Sequence, residues 1–306
     1  MTVRLPETIR SRTVDLDGLT HYLDFGGKPG GPLVVCVHGL GGAAWNWAAL
    51  APRLTDHARV LAVDLAGHGR TPAAGRRTTV PANRRLLDRF LGDVAGEPAV
   101  LIGNSMGGAI SLLEAAAAPE LVRGLVLVDP ALPRPLLSRI DARVAAQFAL
   151  MSLPGLGEAV LSRRRQRLTP EQQVRETLAL CCVDSSRIPA DVVAMGIELA
   201  GERAGDRYAA ADFLTAARSV VKLLTRSGRY VEAMRAVRAP VLLVHGDQDR
   251  LVPLRVARSV AAANPTWQLE IARDTGHVPQ LEQPEWTAGV VLRWMRAQAL
   301  IAAPRS

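Results

Sequence analysis

Lysine is nearly missing from this chain: only Lys28 and Lys222 occur, so arginine carries almost all of the positive side of a formal net charge of +8. The arginines are scattered, not gathered on one element with interleaved aromatics, and zinc-finger, RRM and other nucleic-acid signatures are absent. The excess therefore reads as compositional bias, and no nucleic-acid partner is expected. The densest group, Arg163, Arg164, Arg165 and Arg167, reads as a solvated helix face or loop. Cysteine is scarce too, and three residues cannot build a secreted disulfide framework. Cys36 lies in an apolar run and reads as core. Cys181 and Cys182 are adjacent in a helical pattern, where neighbouring side chains diverge, so neither a redox nor a metal role is expected. No other residues show metal-ligand spacing. The opening Met1 to Glu7 lacks the apolar stretch of a secretory signal, and polar residues interrupt every apolar run short of membrane-spanning length. The expectation is a soluble, cytoplasmic protein with no metal, no cofactor and no membrane span.

What is present is a globular composition, 48% hydrophobic and 22% charged over 306 residues, enough for one large α/β domain with an insertion or for two domains. Short alternating segments from Thr13 to Phe25 flank Asp17-Gly18, a hairpin signal. Leu33 to Val37, Val60 to Leu65, Ala99 to Ile102, Leu125 to Val128, Pro240 to Val244 and Gln268 to Ile271 then read as strands. Most are continuous apolar runs, as expected of strands buried on both faces. Trp45 to Leu54, Asn83 to Leu91, Ala109 to Ala118, Val252 to Ala263 and Pro284 to Leu300 read as helices between or after them. Such alternation predicts a mainly parallel sheet with helices on both faces. From Arg134 to Arg226 the strand pattern stops and apolar residues recur at helical spacing, so this stretch reads as an inserted helical cap. The core is then expected in two parts, residues 1–133 and 227–306, with the cap at 134–226.

The chemistry gathers at the strand ends, where open parallel sheets place their sites. Gly103-Asn104-Ser105-Met106-Gly107 follows an apolar run and opens a helix. Glycines in a Gly-x-Ser-x-Gly turn let strand and helix approach and expose the serine, which makes Ser105 the candidate nucleophile. A serine hydroxyl attacks only when a histidine takes its proton and a carboxylate holds that histidine. His277 stands in the loop after the last strand, whereas His38, His68 and His245 belong to turn-shaping loops, and His21 and His57 lie at no strand end that feeds the site. Three carboxylates compete as the acid: Asp129, Asp247 and Asp249. His38-Gly39-Leu40-Gly41-Gly42 matches neither phosphate-cradling pattern and suits oxyanion stabilisation by a backbone amide.

In the order Ser105, Asp249, His277 the sequence resembles the α/β-hydrolase fold family, and its capped bacterial serine esterase-like and lipase-like members in particular. The matching motifs also include His38 to Gly41, Asp64 with Gly67-His68-Gly69, Gly246 to Asp249, and Gly276-His277. The resemblance implies an α/β fold with an eight-stranded, mostly parallel sheet and a helical cap. It also implies a triad of Ser105, His277 and Asp249, and an oxyanion hole from the amides of Leu40 and Met106. It favours Asp249 as the acid, although some capped relatives take theirs from the strand end where Asp129 stands. The implied partner is a small, largely apolar acyl compound. Its expected pocket contains His38, Gly39, Trp45, Phe148, Met151, Phe213 and Val278, with Trp47 and Met195 as further wall residues. Thioester cleavage, acyl transfer and perhydrolysis would use the same groups. Carbon–carbon bond hydrolases of the fold typically carry tryptophan where Val278 stands. A hydrolase-derived binding protein is the alternative from a different class.

Overall fold

The computed structural model describes residues 9–133 and 155–302. Strands β1 (Arg10–Asp15) and β2 (Leu19–Gly27) form the hairpin, turning through Asp17 and Gly18 at φ values of 55° and 124°. They are followed by β3 (Leu33–Val37), β4 (Arg59–Val63), α1 (Val80–Phe90), β5 (Ala99–Asn104), α2 (Met106–Ala117) and β6 (Val122–Val128). Among the described residues, four helices stand between β6 and the C-terminal part: α3 (Leu156–Arg167), α4 (Pro170–Cys181), α5 (Ala190–Glu202) and α6 (Ala209–Thr225). The chain ends with α7 (Gly228–Ala236), β7 (Val241–Gly246), α8 (Leu254–Ala263), β8 (Gln268–Ala272), the single-turn α9 (Pro279–Glu282) and α10 (Pro284–Ala297). The eight strands lie in the order β1-β2-β4-β3-β5-β6-β7-β8; β1 and β2 pair antiparallel and the remaining pairs from β4 onward are parallel. This is an α/β sheet with an inserted all-helical cap.

Every residue of β3 is fully buried, because successive side chains alternate between two apolar layers. Leu33, Val35 and Val37 join Leu101, Leu127 and Leu243 on one face. Val34 and Cys36 join Ile102, Val126 and Leu242 on the other, which places Cys36 in the core. The arginine run falls on α3, where Arg164 pairs with Glu176 of α4 and Arg165 donates to the carbonyl of Arg203.

The stretch from Trp45 to Leu54 corrects the expectation of a helix. It forms two short 3₁₀ turns, Ala44–Trp47 and Ala51–Arg53. Pro52 cannot supply the N–H an α-helix would need there, and fully buried Trp47, Leu50 and Leu54 hold the tighter path against the sheet. Helix α1 begins earlier than expected, at Val80, where Thr79 caps it and Pro81 fits its first turn. Among the described residues no helix is long and apolar enough to cross a membrane.

Strand β5 and helix α2 meet with almost no room between them. A Cβ on Gly103 would lie 2.6 Å from the Gly107 carbonyl oxygen, and one on Gly107 would lie 2.2 Å from that of Val37 and 2.4 Å from that of His38. Backbone atoms cannot yield as side chains can. Gly107→Ala is therefore expected to cost about 3 kcal/mol or more in urea denaturation, and a loss below about 1 kcal/mol would show that the helix can lift off the sheet.

Candidate active site

Ser105 sits between the last residue of β5 and the first of α2 at φ 53° and ψ −117°, a left-handed conformation that a non-glycine residue adopts only when its surroundings impose it. Here they do. The Ser105 N–H donates to the Val128 carbonyl at 3.0 Å, and the Ser105 carbonyl accepts from Ala131 at 3.0 Å, so the turn is bonded to β6 and the loop after it. The loop after β3 closes over the same turn: a Cβ on Gly39 would lie 3.0 Å from the Ser105 Cβ. Among the described residues no backbone bond is made by the N–H groups of Leu40 and Met106.

His277 and Asp249 meet after β8 and β7. The 2.7 Å bond between His277 Nδ1 and Asp249 Oδ2 keeps the proton on Nδ1 and leaves Nε2 bare. Asp249 Oδ1 accepts the Leu251 and Val252 amides at 2.7 and 3.0 Å. Burial acts to raise the Asp249 carboxyl, but the hydrogen bond from His277 and the Val252 amide outweigh it and hold the group below the ordinary carboxylate range.

The competing carboxylates face elsewhere. Asp247 accepts from the Thr275 amide at 3.3 Å, a turn bond. Asp129, fully buried at φ 42°, accepts the Gly246 amide at 3.0 Å through Oδ1, while its Oδ2 has no partner. Burial first, and then the neighbouring Asp249 charge, push the Asp129 carboxyl well above its usual range. His245 lies 3.5 Å from Asp129 and 3.7 Å from Asp249. It donates through Nε2 to the Val252 carbonyl at 2.8 Å, and burial keeps it neutral. Asp129, His245 and Asp249 are the one group of metal-ligand type among the described residues, with candidate ligand atoms within 4.8 Å of one another. The Asp249 oxygens are engaged by two amides and His277, and the His245 Nε2 proton by Val252. Asp129 Oδ2 and His245 Nδ1 are the buried atoms of the group without a hydrogen-bond partner.

Asn104 ties the parts together and was not singled out from the sequence. Its Nδ2 donates to the Val128 carbonyl at 3.0 Å and to the His277 carbonyl at 3.1 Å, linking the turn that carries Ser105 to the histidine loop. The available signal was one amide closing an otherwise apolar strand. Glu282, also unremarked in the sequence, accepts the Gly276 amide beside His277 at 2.8 Å.

The expected pocket residues divide. Gly39 lies against Ser105, and the Phe213 ring packs on the oxyanion loop, 3.0 Å from where a Cβ on Gly41 would stand. His38 is a correction: it is fully buried, donates through Nδ1 to the Gly39 carbonyl at 2.7 Å and accepts the Leu65 amide through Nε2 at 3.0 Å, so it braces the loop and does not line a pocket. Trp45 packs on Gly196 of α5 and, with Met195, borders a cavity of about 20 Å³ that none of Ser105, Asp249 or His277 lines. Trp47 is wholly in the core, and Val278 is buried in the same apolar layer. Phe148 and Met151 lie outside the described residues. His21 braces the fold as well: its Nδ1 donates to Asp64 at 2.7 Å and its Nε2 accepts from Ser11 at 2.8 Å. Asp64 also accepts the Ala44 and Arg70 amides, joining β2 to the loops after β3 and β4.

The Alpha/beta hydrolase family profile matches residues 34–290. The chain belongs to this family. Among curated relatives, this α/β hydrolase is 26% identical over 291 residues to an uncharacterized protein of Mycobacterium tuberculosis, covering 95% of this chain and 82% of the relative. It is 29% identical over 300 residues to a 2-hydroxy-6-oxononadienedioate/2-hydroxy-6-oxononatrienedioate hydrolase of Paraburkholderia phymatum, with 93% and 95% covered. Among solved structures it is similar to a serine hydrolase involved in carbazole degradation, at TM-score 0.70 and 26% identity over 94% of this chain and 99% of the other.

The raised Asp129 carboxyl has a measurable consequence. An unfolded chain releases this proton near the ordinary value of 3.8, whereas burial in the fold holds it to higher pH. Stability is therefore lost as the pH rises from the unfolded value toward the folded one. Asp129→Asn cannot ionise, so its stability relative to the wild type, from urea denaturation, is expected to improve as the pH rises above 3.8. A difference that is flat with pH would mean that Asp129 ionises in the fold as it does outside it.

Proposed function

We propose that this α/β hydrolase is a serine hydrolase cleaving small, largely apolar carboxylic esters through an acyl-enzyme. The observation that carries the reading is the 2.7 Å bond between Asp249 and His277, in a loop that Asn104 fastens to the turn bearing Ser105. In the reaction, His277 Nε2 takes the Ser105 proton as Oγ attacks the acyl carbonyl. The negative charge that develops on the carbonyl oxygen is met by the Leu40 and Met106 amides, the latter at the positive end of α2. His277 then protonates the departing alkoxide. It next takes a proton from water, whose oxygen attacks the acyl carbon; the acyl–Oγ bond then breaks, the carboxylic acid leaves, and His277 returns the proton to Ser105 Oγ. Asp249 orients the imidazole and stabilises it while it carries the extra proton.

The similarity to a serine hydrolase of carbazole degradation supports the serine, and a hydroxyl nucleophile sets the chain apart from fold members that use an aspartate at this turn. The Paraburkholderia relative keeps carbon–carbon bond hydrolysis as a second reading, against which stands Val278 in place of tryptophan. Cap helix α6 brings Phe213 over the oxyanion loop, and such a covered, apolar setting favours small esters over peptides and polysaccharides.

Ser105→Ala is expected to lower p-nitrophenyl ester turnover by about 10⁴-fold or more, with melting temperature unchanged or raised because the strained turn relaxes. Retained turnover would remove Ser105 from the mechanism. Asp249→Asn should lose about 10⁴-fold in acylation rate because the wrong imidazole tautomer results, whereas Asp129→Asn should stay within about tenfold of wild type since its amide oxygen can still accept the Gly246 N–H and it makes no bond to His277. The reverse ranking in stopped-flow acylation would move the acid to β6. In a substrate screen, small apolar esters are expected to exceed charged or polymeric substrates; the opposite order would show that the cap does not form the acyl site.

A further inference from the structure

Glu282 closes the single-turn α9, five residues beyond His277, with 2% of its surface exposed. Its two carboxylate oxygens serve different parts of the molecule. Oε2 accepts the Gly276 amide at 2.8 Å, next to His277. Oε1 accepts the Val183 and Asp184 amides at 2.9 and 2.8 Å, in the cap just past α4. A buried carboxylate is tolerated only when donors match its lone pairs, and here three backbone donors from two distant segments do so. The same segments touch directly: the His277 amide itself donates to the Cys181 carbonyl at 2.6 Å, and a Cβ on Gly276 would lie 2.1 Å from that oxygen. Arg187 extends the seam, donating to the Asp274 carbonyl at 2.7 Å and pairing with the Asp274 carboxylate.

We propose that Glu282 is a positioning residue that couples the cap to His277, so that the cap cannot shift at the end of α4 without displacing the histidine loop. The inference rests on the assignment of Ser105, Asp249 and His277 above. Its cause is donor geometry: only a group that accepts on both oxygens can hold the Gly276 amide on one side and the Val183 and Asp184 amides on the other. Glu282→Gln keeps the shape but turns an NH₂ group toward one set of donors, opening one side of the clamp.

The test is hydrolysis of p-nitrophenyl butyrate, with competent sites counted by fluorophosphonate titration so that any unfolded fraction drops out. Per titrated site, kcat of Glu282→Gln is expected to fall about tenfold or more, since small displacements of a catalytic group are costly. KM should change less than about twofold. Glu282→Asp, which keeps both acceptors but is one methylene shorter, should lose kcat to a lesser extent. A residue that only stabilised the fold would lower the melting temperature and the titrated fraction while leaving kcat per site unchanged, and that result overturns the inference. Hydrogen exchange on the wild type gives a measurement independent of variant folding. The amides of Val183, Asp184 and Gly276 should exchange slowly and at one common rate, and fast exchange at 183 and 184 beside a protected 276 would also overturn it. A wild type inert toward both reagents overturns the underlying assignment and the coupling with it. An active wild type with an unimpaired Glu282→Gln overturns the coupling alone.

Discussion

The close approach of helix α2 to strands β3 and β5 is the constraint on which the rest depends. Glycine at 103 and 107 removes the Cβ atoms that would overlap backbone oxygens, and the chain must then turn from strand to helix within one residue. That residue is Ser105, whose positive φ costs about 1–3 kcal/mol. The strain is offset by the burial of Met106, Ala109 and Ile110 and by the bonds that fix the turn to β6. The hydroxyl is thereby presented from a scaffold with little freedom to relax, at the positive end of a helix.

Around this turn the carboxylates are sorted by what they accept. Asp64 and Asp249 are buried, yet each is held below the ordinary range because a histidine and backbone amides favour the ionised form over the cost of burial. Asp129 has one amide and lies beside Asp249, and burial with that neighbouring charge pushes its carboxyl well above the ordinary range. One buried acid cluster thus contains carboxyls shifted in opposite directions without any change of residue type.

Two of the attachments of the cap to the core differ in character. Arg203 donates to the Gly67 carbonyl at 2.9 Å, and Arg70 pairs with Glu202 through half-exposed groups that solvent screens. At the other attachment the bonds run to the buried Glu282 and to the backbone of His277. Water competes at the first and is excluded from the second, so the histidine side is the firmer of the two.

The sequence by itself determined the strands, because an apolar run of four to six residues can be buried only where both faces are covered, and it located the Gly103 to Gly107 turn and the His277 loop at strand ends. The helices from Leu156 to Thr225 were legible from spacing alone. Trp45 to Leu54 was misjudged because helical spacing of apolar residues outweighed Pro52, and His38 because its neighbours in sequence do not reveal that both ring nitrogens are engaged. Only the tertiary structure decided which carboxylate reaches His277, since Asp129, Asp247 and Asp249 all follow strand ends and differ by where their oxygens point. It alone brought forward Asn104 and Glu282, whose partners lie 173 and 99 residues away. Local chemistry announces a nucleophile, but a buried acceptor acquires its meaning from donors that only folding places around it.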